Sequence, residues 1–479
     1  MKKWKFFLTA GLHFCFVSFA FSQEKWDLRK CVEYALANNI SVKQADVQSR
    51  IAALTLNQSR LSQIPTLDFS NRTGINSGRT QNPADYSVST NTYFSSNFSV
   101  SSGVTLFNWF RIQNTIAANR YNAEAAHTNV DKIKNDISLN VAAAYLQALL
   151  NKEQVGTSEL QVKMTSAQLE NTRKLVAAGS VPELNALELE AQLARDSSTL
   201  VTAQSTAAIS LLQLKALLTV DASQAFDVYA PPLDQIPVES LAELQPEAVY
   251  NMAIVNMPLQ KVNQLKLRSA EKTIAAYKGA MMPSIDAFGS LGSTYNNKST
   301  TTDLNGTPIV VPTPIGKVNV GGTSYDVFNN YVIYPTKNVG FLKQLDQTFG
   351  QSVGIGLSVP IFRGGQARSQ YNRAKLDMKT MELQQALDNQ SLKQDIYKAY
   401  TEATASLQKF VAGRKSVETS QKAFDFATKR YNIGLLNTID LLTNQNNLFR
   451  ARIDVLLAQY DYVFKLKVLE FYKGQGIKL

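Results

Sequence analysis

Histidine and cysteine are nearly absent from this chain, with two of each among 479 residues. Cys15 lies in an N-terminal stretch read below as removed, so Cys31 has no partner and a disulfide framework is excluded. His127 is then the last histidine, which leaves a histidine-based metal or acid–base site without material. Also missing are a Walker loop, a Ser/His/Asp set, a metal-ligand cluster and paired catalytic carboxylates. Neither an enzyme nor a cofactor is expected. Charge of one sign never accumulates: 49 Lys+Arg stand against 38 Asp+Glu, and the net +11 is spread without a long like-charged block. A nucleic-acid stripe is therefore not expected. Beyond Gln23 no run of 18 apolar residues occurs, so any membrane crossing must be made by strands.

What is present begins with an export signal. Lys2, Lys3 and Lys5 form a positive n-region, Phe6 to Phe19 are largely apolar, and Ala20-Phe21-Ser22 supplies small residues at the cleavage positions. Residues 1–22 read as a signal peptide cut between Ser22 and Gln23, and loss of its three lysines leaves +8.

The remainder is written twice. At a shift of 218, Asn38 meets Asn256, Lys43 meets Lys261, Pro65 meets Pro283, Asp68 meets Asp286 and Gly74 meets Gly292. At a shift of 255, Phe107 meets Phe362, Ala144-Tyr145 meets Ala399-Tyr400, Gly179 meets Gly434, Arg195 meets Arg450 and Leu214 meets Leu469. The second register needs no gap from Phe107 to Leu214, so one insertion of 37 residues, between Gly292 and Phe362, separates two copies at 24–220 and 247–479.

Each copy opens on a short helical segment, 38–62 and 257–281, stopped by Pro65 and Pro283. The period then changes to two. From Phe349 to Ile361 the odd positions are Phe, Gln, Val, Ile, Leu, Val and Ile, and the even ones Gly, Ser and Pro. Tyr93 to Leu106 repeats the pattern, and 66–76 and 284–295 alternate more weakly. The spacing predicts four long strands of about 11–14 residues, near the length that crosses a bilayer at a tilt. Their polar faces are rich in Ser, Gly and Asn, as suits a wet lumen, and the loops 77–92 and 296–348 are polar, as suits an exterior.

After each hairpin comes a very long helical stretch. Between 109 and 178 there is no proline and one glycine, Gly156, while Ile112, Ile116, Ala123, Val130, Ile137, Val141, Ala148 and Val155 recur at coiled-coil intervals. Seventy residues reach roughly 105 Å. A return helix follows from Pro182, read as a first-turn proline, to Thr219. The second copy repeats this over 363–430 and 437–471.

The chain thus divides into a signal peptide (1–22), an N-terminal segment with the first short helix (23–65), and a first β-hairpin (66–107) with its outer loop 77–92. A first helical hairpin (108–220) with its tip near 177–182 leads to a linker (221–246) that contains Ala230-Pro231-Pro232. The second copy supplies a short helix (247–283), a β-hairpin (284–362) with the long outer loop 296–348, a helical hairpin (363–471) with its tip near 431–437, and a tail (472–479).

Four strands cannot close a barrel, and an open edge cannot sit in hydrocarbon. Three copies give twelve strands, enough to enclose a channel. The order of signal peptide, β-hairpins, proline-stopped segments and long helical hairpins resembles the TolC-like outer membrane efflux proteins over nearly the whole mature length. The resemblance implies an α+β membrane protein of two structural repeats, assembled as a homotrimer. Its 12-stranded β-barrel sits in outer membrane lipid and continues as a periplasmic α-helical barrel. It further implies the passive exit duct of a tripartite efflux pump or type I secretion system. A periplasmic adaptor and an inner-membrane transporter of the RND or ABC type would complete the assembly. The alternative, from another class, is a secreted structural or adhesive coiled-coil protein whose β-hairpins are soluble.

Candidate site residues lie at the tips and at the barrel rim. Gly179 and Gly434 relieve the left-handed backbone of a tight reversal. The resemblance makes Gly179, Ser180, Val181, Gly434, Leu435 and Leu436 candidates for docking the adaptor. It makes Tyr431 and Asp440 candidates for the periplasmic gate. In a trimer Asp440 forms an acidic ring that can bind cations; alternatively it is an ordinary carboxylate at a helix N-terminus. Thr443 stands where the family often carries a second acid, Leu436 where it carries an arginine, and Asn185 where the first copy matches Asp440. Tyr145 and Tyr400 read as packing residues. Trp109 and Phe110 read as interfacial aromatic anchors or as core.

Overall fold

Two interruptions shape the start of each half. α1 (Leu28–Asn38) is parted from α2 (Ile40–Leu61) by Asn39, whose side-chain oxygen accepts from Ser41 N at 2.9 Å and so caps the second helix. In the other half Met257 is held extended between α5 (Pro246–Asn256) and α6 (Pro258–Gly279), as a residue before proline must be. The single segments expected from 38 and from 257 are therefore preceded by α1 and α5, which the sequence reading missed. In this computed structural model residues 26–81, 86, 88–229 and 240–474 are described. The expected signal peptide, the proline stretch 230–232 and the last residues 475–479 lie outside them.

The long helices are α3 (Arg111–Ala177), α4 (Glu183–Leu218), α8 (Gln366–Asn432) and α9 (Thr438–Lys473). α3 and α8 are each 67 residues long and α4 and α9 each 36, and every start and end lies 255 positions from its counterpart. Pro182 is the N-cap of α4, not its first helical residue as expected, with the helix opening at Glu183.

The chain forms two compact units. The helical unit takes 1–53, 121–267 and 379–479. Its largest core gathers Val141, Tyr145, Leu146 and Leu149 of α3 around Cys31 and Ala35 of α1 and Leu214 and Leu218 of α4. Tyr145 is fully buried and its hydroxyl donates to the backbone oxygens of Trp26 and Tyr229, so it packs and also ties the strand-like bridge Trp26–Val228 to α3. Burial pushes the Tyr145 hydroxyl up, and pushes the Cys31 thiol up to about 12. A second core sets Leu392, Ile396 and Ala403 of α8 against Leu466 and Leu469 of α9 and Val249 of α5, with Tyr400 half-buried at its side.

The other unit, 54–120 and 268–378, carries the strands. β1 (Thr66–Gln81), β2 (Val88–Phe107), β3 (Ser284–Asn296) and β8 (Gly350–Ser358) form an antiparallel sheet in the order β1-β2-β3-β8, open at both edges. The first hairpin is longer than expected, since β1 and β2 extend into 77–92. The segment 296–348 corrects the expectation of four strands. It pairs β4 (Thr300–Thr302) with β7 (Thr336–Asn338) and β5 (Ile309–Val320) with β6 (Thr323–Ile333), and then forms α7 (Phe341–Gln347). Gln344 anchors α7 to the sheet: its amide nitrogen donates to Val339 O at 2.7 Å and its oxygen accepts from Asn296 N at 2.8 Å.

Candidate functional site

The sheet register sorts side chains onto two unlike faces. Leu67, Phe69, Val100, Val104, Leu291, Val353, Ile355 and Leu357 share one face through the pairs Phe69↔Val100, Val100↔Leu291 and Ala287↔Ile355. Leu67 is 76% exposed and Val353 91%, an uncovered apolar surface that water would penalise and hydrocarbon would not. Among the described residues this face is covered at one end, where Phe341 of α7 lies 6.2 Å from the ring of Phe98 and 5.2 Å from that of Tyr295. The opposite face is a cross-strand hydrogen-bonded lattice: Ser70 with Ser99 at 3.1 Å, Ser290 with Ser352 at 2.8 Å, Thr105 donating to Asp286 at 2.7 Å, and Thr294 to Asn97 at 2.9 Å. An apolar face outward and a polar face inward is the surface division of a water-filled barrel wall. No helix among the described residues is long and apolar enough to cross a membrane.

Where strand gives way to helix, Trp109 and Phe110 adopt φ of 51° and 59°, and the equivalent positions of the second half are Gly364 and Gly365 at 56° and 74°. Two bulky side chains hold a conformation that costs non-glycine residues roughly 1–2 kcal/mol each. Both are about half-exposed and set their rings against Phe107, tilted for Trp109 and edge-to-face for Phe110, at 5.6 and 5.9 Å between ring centroids. They are not core. Gly279 permits this turn, because a Cβ there would stand 2.9 Å from Trp109 O.

The two helical tips close alike. Gly179 N donates to Val176 O and Ser180 N to Leu175 O, while Gly434 N donates to Tyr431 O and Leu435 N to Arg430 O, all at 2.9 Å. This is the Schellman closure, which needs a left-handed residue after the helix; Gly179 and Gly434 supply φ of 69° and 75°. Gly179, Ser180, Gly434 and Leu435 are exposed, whereas Val181 and Leu436 are half-buried. Asn437 caps α9, its Oδ1 accepting from Asp440 N at 2.7 Å. Asp440 is exposed in the first turn, where the helix N-terminus favours a carboxylate.

Tyr431 is placed differently. It is 1% exposed, packed with Ala427 and Leu441, and its hydroxyl lies 3.1 Å from Thr172 Oγ1. Beside it Asn171 Nδ2 donates to Asn432 Oδ1 at 3.3 Å, so α3 and α8 are tied where they end. Tyr431 and Asp440 share no hydrogen bond among the described residues. Thr172 is the partner that sequence reasoning missed. Its signal was available: Ser158, Gln161, Thr165 and Thr172 occupy the buried stripe of α3 beyond the apolar seam that ends at Val155. Within that stripe Asp196 of α4 is buried, accepting from Thr165 Oγ1 at 2.5 Å and Gln192 Nε2 at 2.7 Å, and Gln445 of α9 donates to Thr165 at 2.6 Å. Polar pairs thus join α3, α4 and α9 in this stretch, beside an apolar cluster of Leu169, Ala186, Leu189 and Leu442.

Comparison with known proteins finds likeness in both halves of the chain. The sequence model of the outer membrane efflux protein family matches residues 31–220 and again 249–475. The outer membrane efflux protein BepC of Brucella suis is 20% identical over 361 residues, 75% of this chain and 67% of that protein. The outer membrane protein TolC of Escherichia coli is 22% identical over 333 residues, 68% of this chain but 58% of its own length. A crystal structure of CusC, described in connection with transmembrane channel formation, superposes with a TM-score of 0.74 at 16% identity, covering 93% of this chain and 92% of that one. The chain belongs to the outer membrane efflux protein family and is an outer membrane protein.

Proposed function

We propose that three copies of this chain join their four-stranded sheets edge to edge into a 12-stranded barrel, continued by a periplasmic tube of long helices. The assembly is the passive exit duct of a tripartite efflux pump or type I secretion system. The observation that carries this reading is the open sheet with β1 and β8 as edges unpaired among the described residues, one face largely apolar and bare, the other a hydrogen-bonded polar lattice. Unpaired backbone groups in lipid cost several kcal/mol each, so the edges must find partners, and sister copies carry complementary ones. A soluble adhesin would not leave Val353 and Ile355 uncovered.

In this reading Trp109 and Phe110 anchor the periplasmic rim of the barrel, and Gly179, Ser180, Val181, Gly434, Leu435 and Leu436 offer the tips to a periplasmic adaptor. The inner-membrane transporter supplies the energy. Tyr431 holds the entrance through its contact with Thr172, rather than by projecting into the opening, and parting α3 from α8 breaks that contact. Asp440, exposed on the first turn of α9, repeats threefold as an acidic ring. The test is single-channel recording in planar bilayers. The wild-type protein should conduct and be blocked by divalent cations from the periplasmic side, and Asp440→Ala should lose that block while assembling normally. Conductance indifferent to divalent concentration in both proteins would remove Asp440 from the entrance.

A further inference from the structure

Every residue of β5 and β6 is exposed, although 12 of their 23 residues are apolar. Their register explains how. Through the pairs Val311↔Tyr331, Gly316↔Val327, Val318↔Tyr325 and Val320↔Thr323, the side chains of Val311, Val318, Val320, Tyr325, Val327 and Tyr331 share one face. That face carries no charge. The only two charged residues of the hairpin, Lys317 and Asp326, pair with each other at 3.7 Å on the opposite face. A lone two-stranded hairpin is marginal in water, and one with a bare apolar face requires a cover that is always present.

We propose that the cover is a second copy of this chain, the β5–β6 arms of neighbouring copies packing by their apolar faces at the outer end of the barrel. This rests on the trimeric reading above. Sharing the barrel edges β1 and β8 roots three identical arms at one rim, each through the β4–β7 pair, so each arm meets its sisters at high effective concentration. Strand addition at the β5 edge is not the mode of contact. Pro312 and Pro314 lie at alternate positions of β5 whose missing N–H groups would point to its open edge, which blunts that edge. The apolar face remains as the docking surface. Its lack of charge suits an identical apolar face and gives nothing to the phosphates of an outer-leaflet lipid.

Single cysteines in a Cys31→Ala background test this in intact membranes with a short bifunctional maleimide. Val318→Cys and Tyr325→Cys, on the apolar face, should give covalent dimers at least tenfold in excess of Asn319→Cys and Ser324→Cys on the other face. A native gel of the same samples reports the trimer independently. A trimer with no cross-link at 318 or 325, or with equal cross-linking at all four positions, overturns the packing of the arms and leaves the duct standing. Absence of the trimer overturns the reading beneath both. Quenching of a fluorophore at 318 by brominated lipid would assign the face to the membrane and overturn the proposal.

Discussion

At the scale of single residues, the two halves solve the same backbone problem with different side chains. Gly364, Gly365 and Gly474 are left-handed, and their counterparts Trp109, Phe110 and Thr219 hold φ of 51°, 59° and 59°. Thr219 is exposed and ends α4 through the same closure that Gly474 gives α9. Thr219→Gly should therefore raise stability by about 1 kcal/mol, read from the urea midpoint of the detergent-solubilised protein. Gly434→Ala should lower it by about 1 kcal/mol, although no atom lies within 4 Å of the added Cβ, because the cost is in the backbone. Cys31 permits a second reading of the folded state. Its thiol, pushed up to about 12 by burial, stays protonated from pH 7 to 9, and the thiolate is the reactive form. Maleimide should fail to label Cys31 in that range and label it fully once the protein is unfolded; rapid labelling of the native protein would mean that α1 does not stay docked.

At the scale of elements, the sequence register was legible because the helices are long and uninterrupted. The seam from Ile112 to Val155, the stop before Pro65 and the alternation of 349–361 each follow from local periodicity and proline sterics. The short elements were not legible. α1 and α5 are separated from their successors by a single residue, Asn39 or Met257, and only the proline at 258 marks one break. The β5–β6 hairpin was hidden because Pro312 and Pro314 read as loop, whereas both are tolerated on an open edge. At the tip, Gly179 and Gly434 were readable from chemistry, whereas the sequence offered only a polar stripe for Thr172 and not its pairing, since its partner Tyr431 stands 259 positions away. That pair gives a test of the proposed closure. Tyr431→Phe and Thr172→Val should each weaken the tie by about 1 kcal/mol and raise the open fraction in bilayer recordings. The double variant should do no more than either alone. Full additivity would mean that the two residues act separately.

At the scale of the whole molecule, the unlike faces of one sheet and its two free edges decide the rest. The long helices alone would fit many coiled-coil proteins, and the family match extends over both halves. What demands neighbours is the backbone: β1 and β8 each present a row of donors and acceptors that no strand among the described residues pairs. Native mass spectrometry of the protein released from outer membranes in a mild detergent measures this most directly. The proposed duct predicts a single species with the mass of three chains, resolving into monomers only on heating. A folded monomer, stable in buffer without detergent, would contradict it.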